Sequence, residues 1–172
     1  MLPVKKIGID ARFFGPKDKG FGRYVQNLIS NLEIIDKKNH YFIFLNKKRD
    51  GEYFPKNQNF KKILVKHNRY WSVKIDKKFY QPDLDVIHFT CLPPPIFYKA
   101  RSKMIFTLHD LTWRFFPVFK NPIKKFFYNL SFLNAVRNAA LIIVPSKHTK
   151  KDVLRLYKID PQRVKVIYEG VI

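Results

Sequence analysis

The chain has 172 residues, 46% of them hydrophobic, with 17 Phe and 9 Tyr; this suffices for one domain with a sizeable core and excludes global disorder. Thirty-four Lys and Arg against 13 Asp and Glu give a net charge of +21, a field that draws anions such as acidic lipid, nucleic acid or phosphorylated substrates. A single cysteine, Cys91, excludes an internal disulfide framework and a Cys-rich zinc site, and it suits a reducing, cytoplasmic setting.

Met1-Leu2-Pro3-Val4-Lys5-Lys6 is not followed by the apolar run of a secretory signal, and no stretch reaches the roughly 18 apolar residues of a membrane-spanning helix. Val4–Asp10 reads as a buried strand, followed by a loop through Gly15-Pro16-Lys17-Asp18-Lys19-Gly20. From Phe21 the period turns helical: Tyr24, Leu28, Leu32 and Ile35 form one stripe, flanked by Val25 and Ile29. Asp36-Lys37-Lys38-Asn39 ends that helix and His40–Leu45 is a second strand. Strand, glycine-containing loop, helix and strand make a βαβ unit, the seed of a parallel sheet.

Asn46–Asn59 reads as a surface loop and Lys61–Lys66 as an edge strand, while Trp71–Tyr80 has moderate helical spacing. Leu84–Thr90 is a strand, and Pro93, Pro94 and Pro95 bar both helix interior and central strand from the loop after it. Lys103–Leu108 is another buried strand, with His109-Asp110 at its carboxyl end. Beyond a loop bracketed by Pro117 and Pro122, Ile123, Phe126, Phe127, Leu130, Leu133 and Val136 form a second helical stripe. Ala140–Val144 is a strand, Ser146 is the expected N-cap of a helix ending near Tyr157-Lys158, and Val164–Tyr168 is the last strand. This alternation predicts an α/β, Rossmann-like, doubly wound and mostly parallel sheet with helices on both faces. Ligands of such sheets bind beyond the carboxyl ends of the strands.

Several groups could carry chemistry there. Gly20 and Gly22, between the first strand and first helix, let backbone approach a ligand, and the helix N-terminus favours an anion. Taken alone, the segment reads first as a plain tight turn, since it lacks the spacing of the dinucleotide and P-loop fingerprints. His88-Phe89-Thr90 and His109-Asp110 stand at strand ends, where they either line the expected cleft or serve packing and local bracing. Asp83 and Asp85 read as turn residues, and His40, His67 and His148 have no ligand spacing, so no metal site is expected. No RNP, zinc or helix-turn-helix signature supports nucleic acid as the partner. Thr112-Trp113-Arg114-Phe115-Phe116-Pro117-Val118-Phe119-Lys120 and Lys124-Lys125-Phe126-Phe127 interleave aromatics and cations, which suits either a membrane interface or an ordinary amphipathic helix.

Three segments in order carry a resemblance: Ile7-Gly8-Ile9-Asp10-Ala11-Arg12 with Gly20-Phe21-Gly22-Arg23-Tyr24; Phe106-Thr107-Leu108-His109-Asp110; and Ala139–Ser146 with Pro161–Val171. Together they resemble the N-terminal domain of glycosyltransferase family 4, one half of a GT-B fold. The resemblance implies an acceptor-side domain spanning residues 1–172, with the donor-binding C-terminal domain absent from the chain. It implies retaining transfer of a sugar from a nucleotide-sugar donor to an acceptor, without metal or other cofactor, and inactivity of this half alone. It places Gly20, Phe21 and Gly22 at the donor diphosphate and His109 at the transferred sugar as the catalytic candidate; strand-end position assigns His88, Thr90 and Asp110 to the acceptor side of the cleft, with Asp110 expected to brace its loop rather than act as a base. Lys19 stands where the family has a first glycine, and Glu169 where Asn is common.

Expected partners are therefore the second GT-B domain, a nucleotide sugar and an anionic membrane surface on the inner face of the cell membrane. Self-association through an exposed interdomain face is a further expectation. The alternative from another class is a non-catalytic basic module that binds anionic lipid or polysaccharide. A Lys-rich proteome, or an acidic partner domain, would equally account for the charge.

Overall fold

Among the described residues seven strands form one sheet, in the spatial order Phe60–Val65, His40–Asn46, Lys6–Ala11, Val86–Phe89, Lys103–Thr107, Leu141–Val144 and Val164–Val166, every neighbouring pair parallel. The computed structural model describes residues 3–66, 73, 75–80, 82–99, 101–116 and 121–170. The strands are β1 (Lys6–Ala11), β2 (His40–Asn46), β3 (Phe60–Val65), β4 (Val86–Phe89), β5 (Lys103–Thr107), β6 (Leu141–Val144) and β7 (Val164–Val166). The helices are α1 (Lys19–Ile35), α2 (Thr112–Phe115), α3 (Pro122–Asn138) and α4 (Lys147–Tyr157). The chain order reverses between β1 and β4, which opens a crevice at their carboxyl ends.

Parallel strands are buried on both faces, and two apolar clusters cover this sheet. Val25 and Ile29 of α1 pack with Ile9, Tyr41 and Ile43 on one side. Phe132, Ala135 and Val136 of α3 and Val153 of α4 pack with Phe44, Phe89, Phe106 and Ile142 on the other. The central residues of β1, β2 and β4 reach zero or near-zero exposure: Ile9, Ile43, Phe44 and Ile87.

Each expected strand is present, most of them a residue or two shorter. The loop expected over Asn46–Asn59 contains a 3-10 turn at Lys47–Glu52. Ser146 caps α4 as expected, its hydroxyl accepting from the Thr149 amide at 3.0 Å. The helical stripes shift. In α1 the buried line is Gly22, Val25, Ile29 and Glu33, not Tyr24 to Ile35; Ile35 is exposed. The rotation follows from Gly22, which presses the first turn onto Gly15 and so sets the face that meets the sheet. In α3 the buried residues are Ser131, Phe132, Ala135 and Val136, while Ile123, Phe126 and Leu130 face solvent. Of Trp71–Tyr80, Lys77–Tyr80 forms a 3-10 turn; Trp71, Ser72 and Lys74, with His67, Pro117 to Lys120 and Val171, lie outside the described residues.

Candidate functional site

Four segments meet at the carboxyl edge of the sheet: the loop from β1 into α1, the end of β4, the end of β5, and the segment after β7. Each brings a sequence-expected residue or its partner.

The first loop is braced beneath by charge. Asp10 and Arg12, each 3% exposed, form a two-pronged pair: Nε donates to Oδ1 at 2.8 Å and Nη2 to Oδ2 at 2.7 Å. Arg49 likewise forks onto Asp18, at 3.0 and 2.7 Å, and the Asp18 carboxylate also accepts from the Phe14 amide at 3.2 Å. Asp18 therefore does not cap α1, and among the described residues no side chain caps the first turn of that helix. Gly20 and Gly22 divide their work. A Cβ on Gly22 would overlap the carbonyl oxygen of Gly15, so this glycine is a packing requirement. A Cβ on Gly20 would meet nothing within 4 Å, so this glycine faces open space. Lys19 adopts φ 53° and ψ −133°, backbone that glycine takes without cost and lysine does not.

His109 is held from four sides. Its Nε2 lies 2.9 Å from the Thr90 carbonyl oxygen and its Nδ1 3.0 Å from Oε1 of Glu169. The ring of Phe21 sits 5.0 Å away and that of Tyr24 meets it edge-on at 4.8 Å. A carbonyl only accepts, so Nε2 carries the hydrogen that Thr90 receives. The Glu169 contact is a hydrogen bond when a proton lies between Nδ1 and the carboxylate.

Beneath His109 runs a buried polar chain. Nε2 of His88 is 2.7 Å from the Thr107 hydroxyl, which is 3.1 Å from the Tyr24 hydroxyl. Burial holds the His88 imidazole down at about 4, hence neutral, with His109 adding to the depression and Asp10 opposing it. Burial also pushes the Tyr24 phenol up, and the Cys91 thiol up to about 12, so neither ionises near neutrality.

The residues expected on the acceptor side are placed at different depths. His88 and Thr90 are 8% and 1% exposed and lie under the site, the Thr90 hydroxyl donating to the Asp10 carbonyl. Asp110 is exposed; its Oδ1 accepts from the Thr112 amide at 2.8 Å and hydroxyl at 2.6 Å, which braces the turn into α2. Phe21 is brought against His109, whereas Gly22 packs on the loop behind. Sequence reasoning assigned no role to Glu169, Tyr24 or Thr107. The signal for Glu169 was its position at the carboxyl end of the last strand, the same placement that singled out His109.

A cavity of about 90 Å³ adjoins His109, lined by Phe21, Cys91, Leu108, Asp110, Trp113 and Tyr128. Among the described residues the buried Trp113 indole N–H has no hydrogen-bond partner. A larger cavity, about 260 Å³, lies at the opposite edge, against Leu84 and Ser102 at the amino ends of β4 and β5. The smaller one is the candidate site, because ligands of open α/β sheets bind at the carboxyl edge. Among the described residues no group of three or more His, Cys, Asp or Glu is placed to hold a metal ion.

With this geometry in hand, comparison with known proteins gives three findings. The family model described as Glycosyltransferase Family 4 matches residues 8–172. Among solved structures, the wall teichoic acid polymerase TagF superposes with a TM-score of 0.58 at 15% identity, covering 94% of this chain and 37% of that one. Anabaena HepE in complex with UDP superposes with a TM-score of 0.54, also at 15% identity, covering 98% of this chain and 44% of that one. The chain thus spans less than half the length of either neighbour, and identity this low carries the fold alone. No curated protein matches the chain.

Proposed function

The chain belongs to glycosyltransferase family 4, and from that membership we propose that it is the acceptor-side half of an enzyme that moves a sugar from a nucleotide-sugar donor to an acceptor. The domain is Rossmann-like and of the GT-B kind. In the proposal its carboxyl edge faces a second domain that carries most donor contacts, so this half is inactive alone.

The observation that carries the reading is the meeting of the α1 loop and His109 at one edge of the sheet. The uncapped start of α1 offers amide donors to an anion, and Gly20 leaves open space beside them. A diphosphate is the anion of choice for such a helix start, and HepE's bound UDP supports that class. His109 is the group toward the transferred sugar. Its Nε2 is committed to Thr90, so Nδ1 is the atom that can change partner. A sugar hydroxyl reaching the site takes the place of the half-exposed Glu169 carboxylate. The free thiol of Cys91 supports a reducing, cytoplasmic setting.

The test is a turnover assay of the 172-residue chain with nucleotide sugars, beside calorimetric titration with UDP. Weak UDP binding and no sugar transfer are expected. Steady transfer by the chain alone would overturn the proposed division of labour.

A further inference from the structure

The first half of α3 presents an apolar line to solvent. Ile123, Phe126 and Leu130 are 65%, 58% and 37% exposed. At about 3.6 residues per turn these three share one side of the helix, opposite Phe132, which is 2% exposed in the core. The line therefore cannot reach the sheet that the second half of the helix covers. Phe115 and Phe116, at the end of α2 and just past it, are also exposed, at 55% and 61%. α2 is tied to the core-facing side of α3 by the buried Trp113, whose ring meets Tyr128 at 4.8 Å and Phe132 at 5.0 Å. Five large apolar side chains thus stand in water on two neighbouring helices, more than scattered surface hydrophobics explain.

Charge decides what covers them. Arg114, Lys124 and Lys125 are exposed on the same two helices, and from Leu111 to Lys151 the sequence contains no Asp or Glu. A second copy would bring one +21 chain against another. Nucleic acid would meet the cations but leave the rings and aliphatic chains in water. An anionic bilayer satisfies both: the apolar side chains enter the headgroup boundary and the cations stay on lipid phosphates. We infer that the outer face of the first half of α3, with the end of α2, docks this domain on an acidic lipid bilayer. The inference does not depend on the transfer reaction, since its test measures lipid binding alone.

Co-sedimentation of the 172-residue chain with vesicles tests it, using phosphatidylcholine alone and phosphatidylcholine mixed with phosphatidylglycerol. Binding is expected only with phosphatidylglycerol, and it falls as salt shortens the Debye length from about 10 Å at 0.1 M to about 3 Å at 1 M. Lys124→Glu with Lys125→Glu, and separately Ile123→Ser with Phe126→Ser, each lower partitioning by on the order of tenfold or more. Lys47→Glu with Lys61→Glu makes the same charge change at the far, β3 edge of the sheet and leaves binding nearly intact. All these side chains are exposed, so melting temperatures stay close to the parent. No binding to acidic vesicles, equal binding to neutral ones, or an equal loss in the far-edge variant would overturn the inference. So would a parent dimer that Ile123→Ser with Phe126→Ser turns into a monomer, which assigns the face to a second copy.

Discussion

His109 and Glu169, 60 residues apart in sequence, meet at 3.0 Å between Nδ1 and Oε1 above the carboxyl edge of the sheet. The contact joins the end of β5 to the segment after β7, so it links the candidate sugar contact to the last described stretch of the chain. Glu169 is 51% exposed, and a pair that open to water contributes about 0–1 kcal/mol. Glu169→Ala should therefore leave the melting temperature almost unchanged. The same variant should open Nδ1 of His109 to water, which the nitrogen NMR shifts of the imidazole would register. A large loss of stability instead would make Glu169 a structural strut.

His109→Ala separates the two roles of this ring. The Thr90 carbonyl loses its donor, which costs about 1–3 kcal/mol of stability if that oxygen stays buried. In an enzyme completed by a second domain, transfer should fall further, by several-fold to tenfold or more for a lost bond to a sugar hydroxyl. Turnover measured well below the melting transition distinguishes the two, and unchanged turnover would remove His109 from the site.

Gly20→Ala and Gly22→Ala should behave oppositely. The Gly22 variant forces the Gly15 carbonyl aside and should lose about 1–3 kcal/mol. The Gly20 variant finds open space inside a helix and should gain up to about 1 kcal/mol. If Gly20 faces a diphosphate, the same alanine should weaken nucleotide-sugar binding by the completed enzyme. Thermal melts and titration of each variant check both.

Lys19→Gly should stabilise the fold. Lysine at φ 53° and ψ −133° carries backbone strain of about 1–3 kcal/mol, part of which glycine returns to the greater freedom of its unfolded chain. A net gain of about 1 kcal/mol, or roughly 2–4 °C in melting temperature, is the expected reading. A lower melting temperature would show that the lysine side chain contributes more than its backbone costs.

Acid should destabilise the domain through His88 before the carboxylates titrate. Its folded value of about 4 lies below the ordinary 6.5, so the unfolded chain binds the extra proton first. Stability from the neutral ring is thus present above about 6.5 and is lost as pH falls toward 4. At pH 5 the loss is about 2 kcal/mol. Denaturant melts at pH 7 and pH 5 should show it, and His88→Asn should flatten the dependence in that window. An equal slope in the variant would reject His88 as its source.

The sheet and the order of its elements are legible along the chain. Short β-branched runs alternating with helical periods leave one economical arrangement, parallel strands with helices on both faces, and strand ends then mark the site. The cap at Ser146 was legible because it depends on local backbone geometry. Packing alone settles which helix faces are wet. Ile123, Phe126 and Leu130 have the spacing of a core stripe, yet the sheet reaches only the Phe132 side of α3. It also decided the depth of His88, which a strand-end position alone cannot give, and the meeting of His109 with Glu169, Tyr24 and Thr90. Those contacts join residues far apart in the chain, and no local period encodes which strand ends become neighbours.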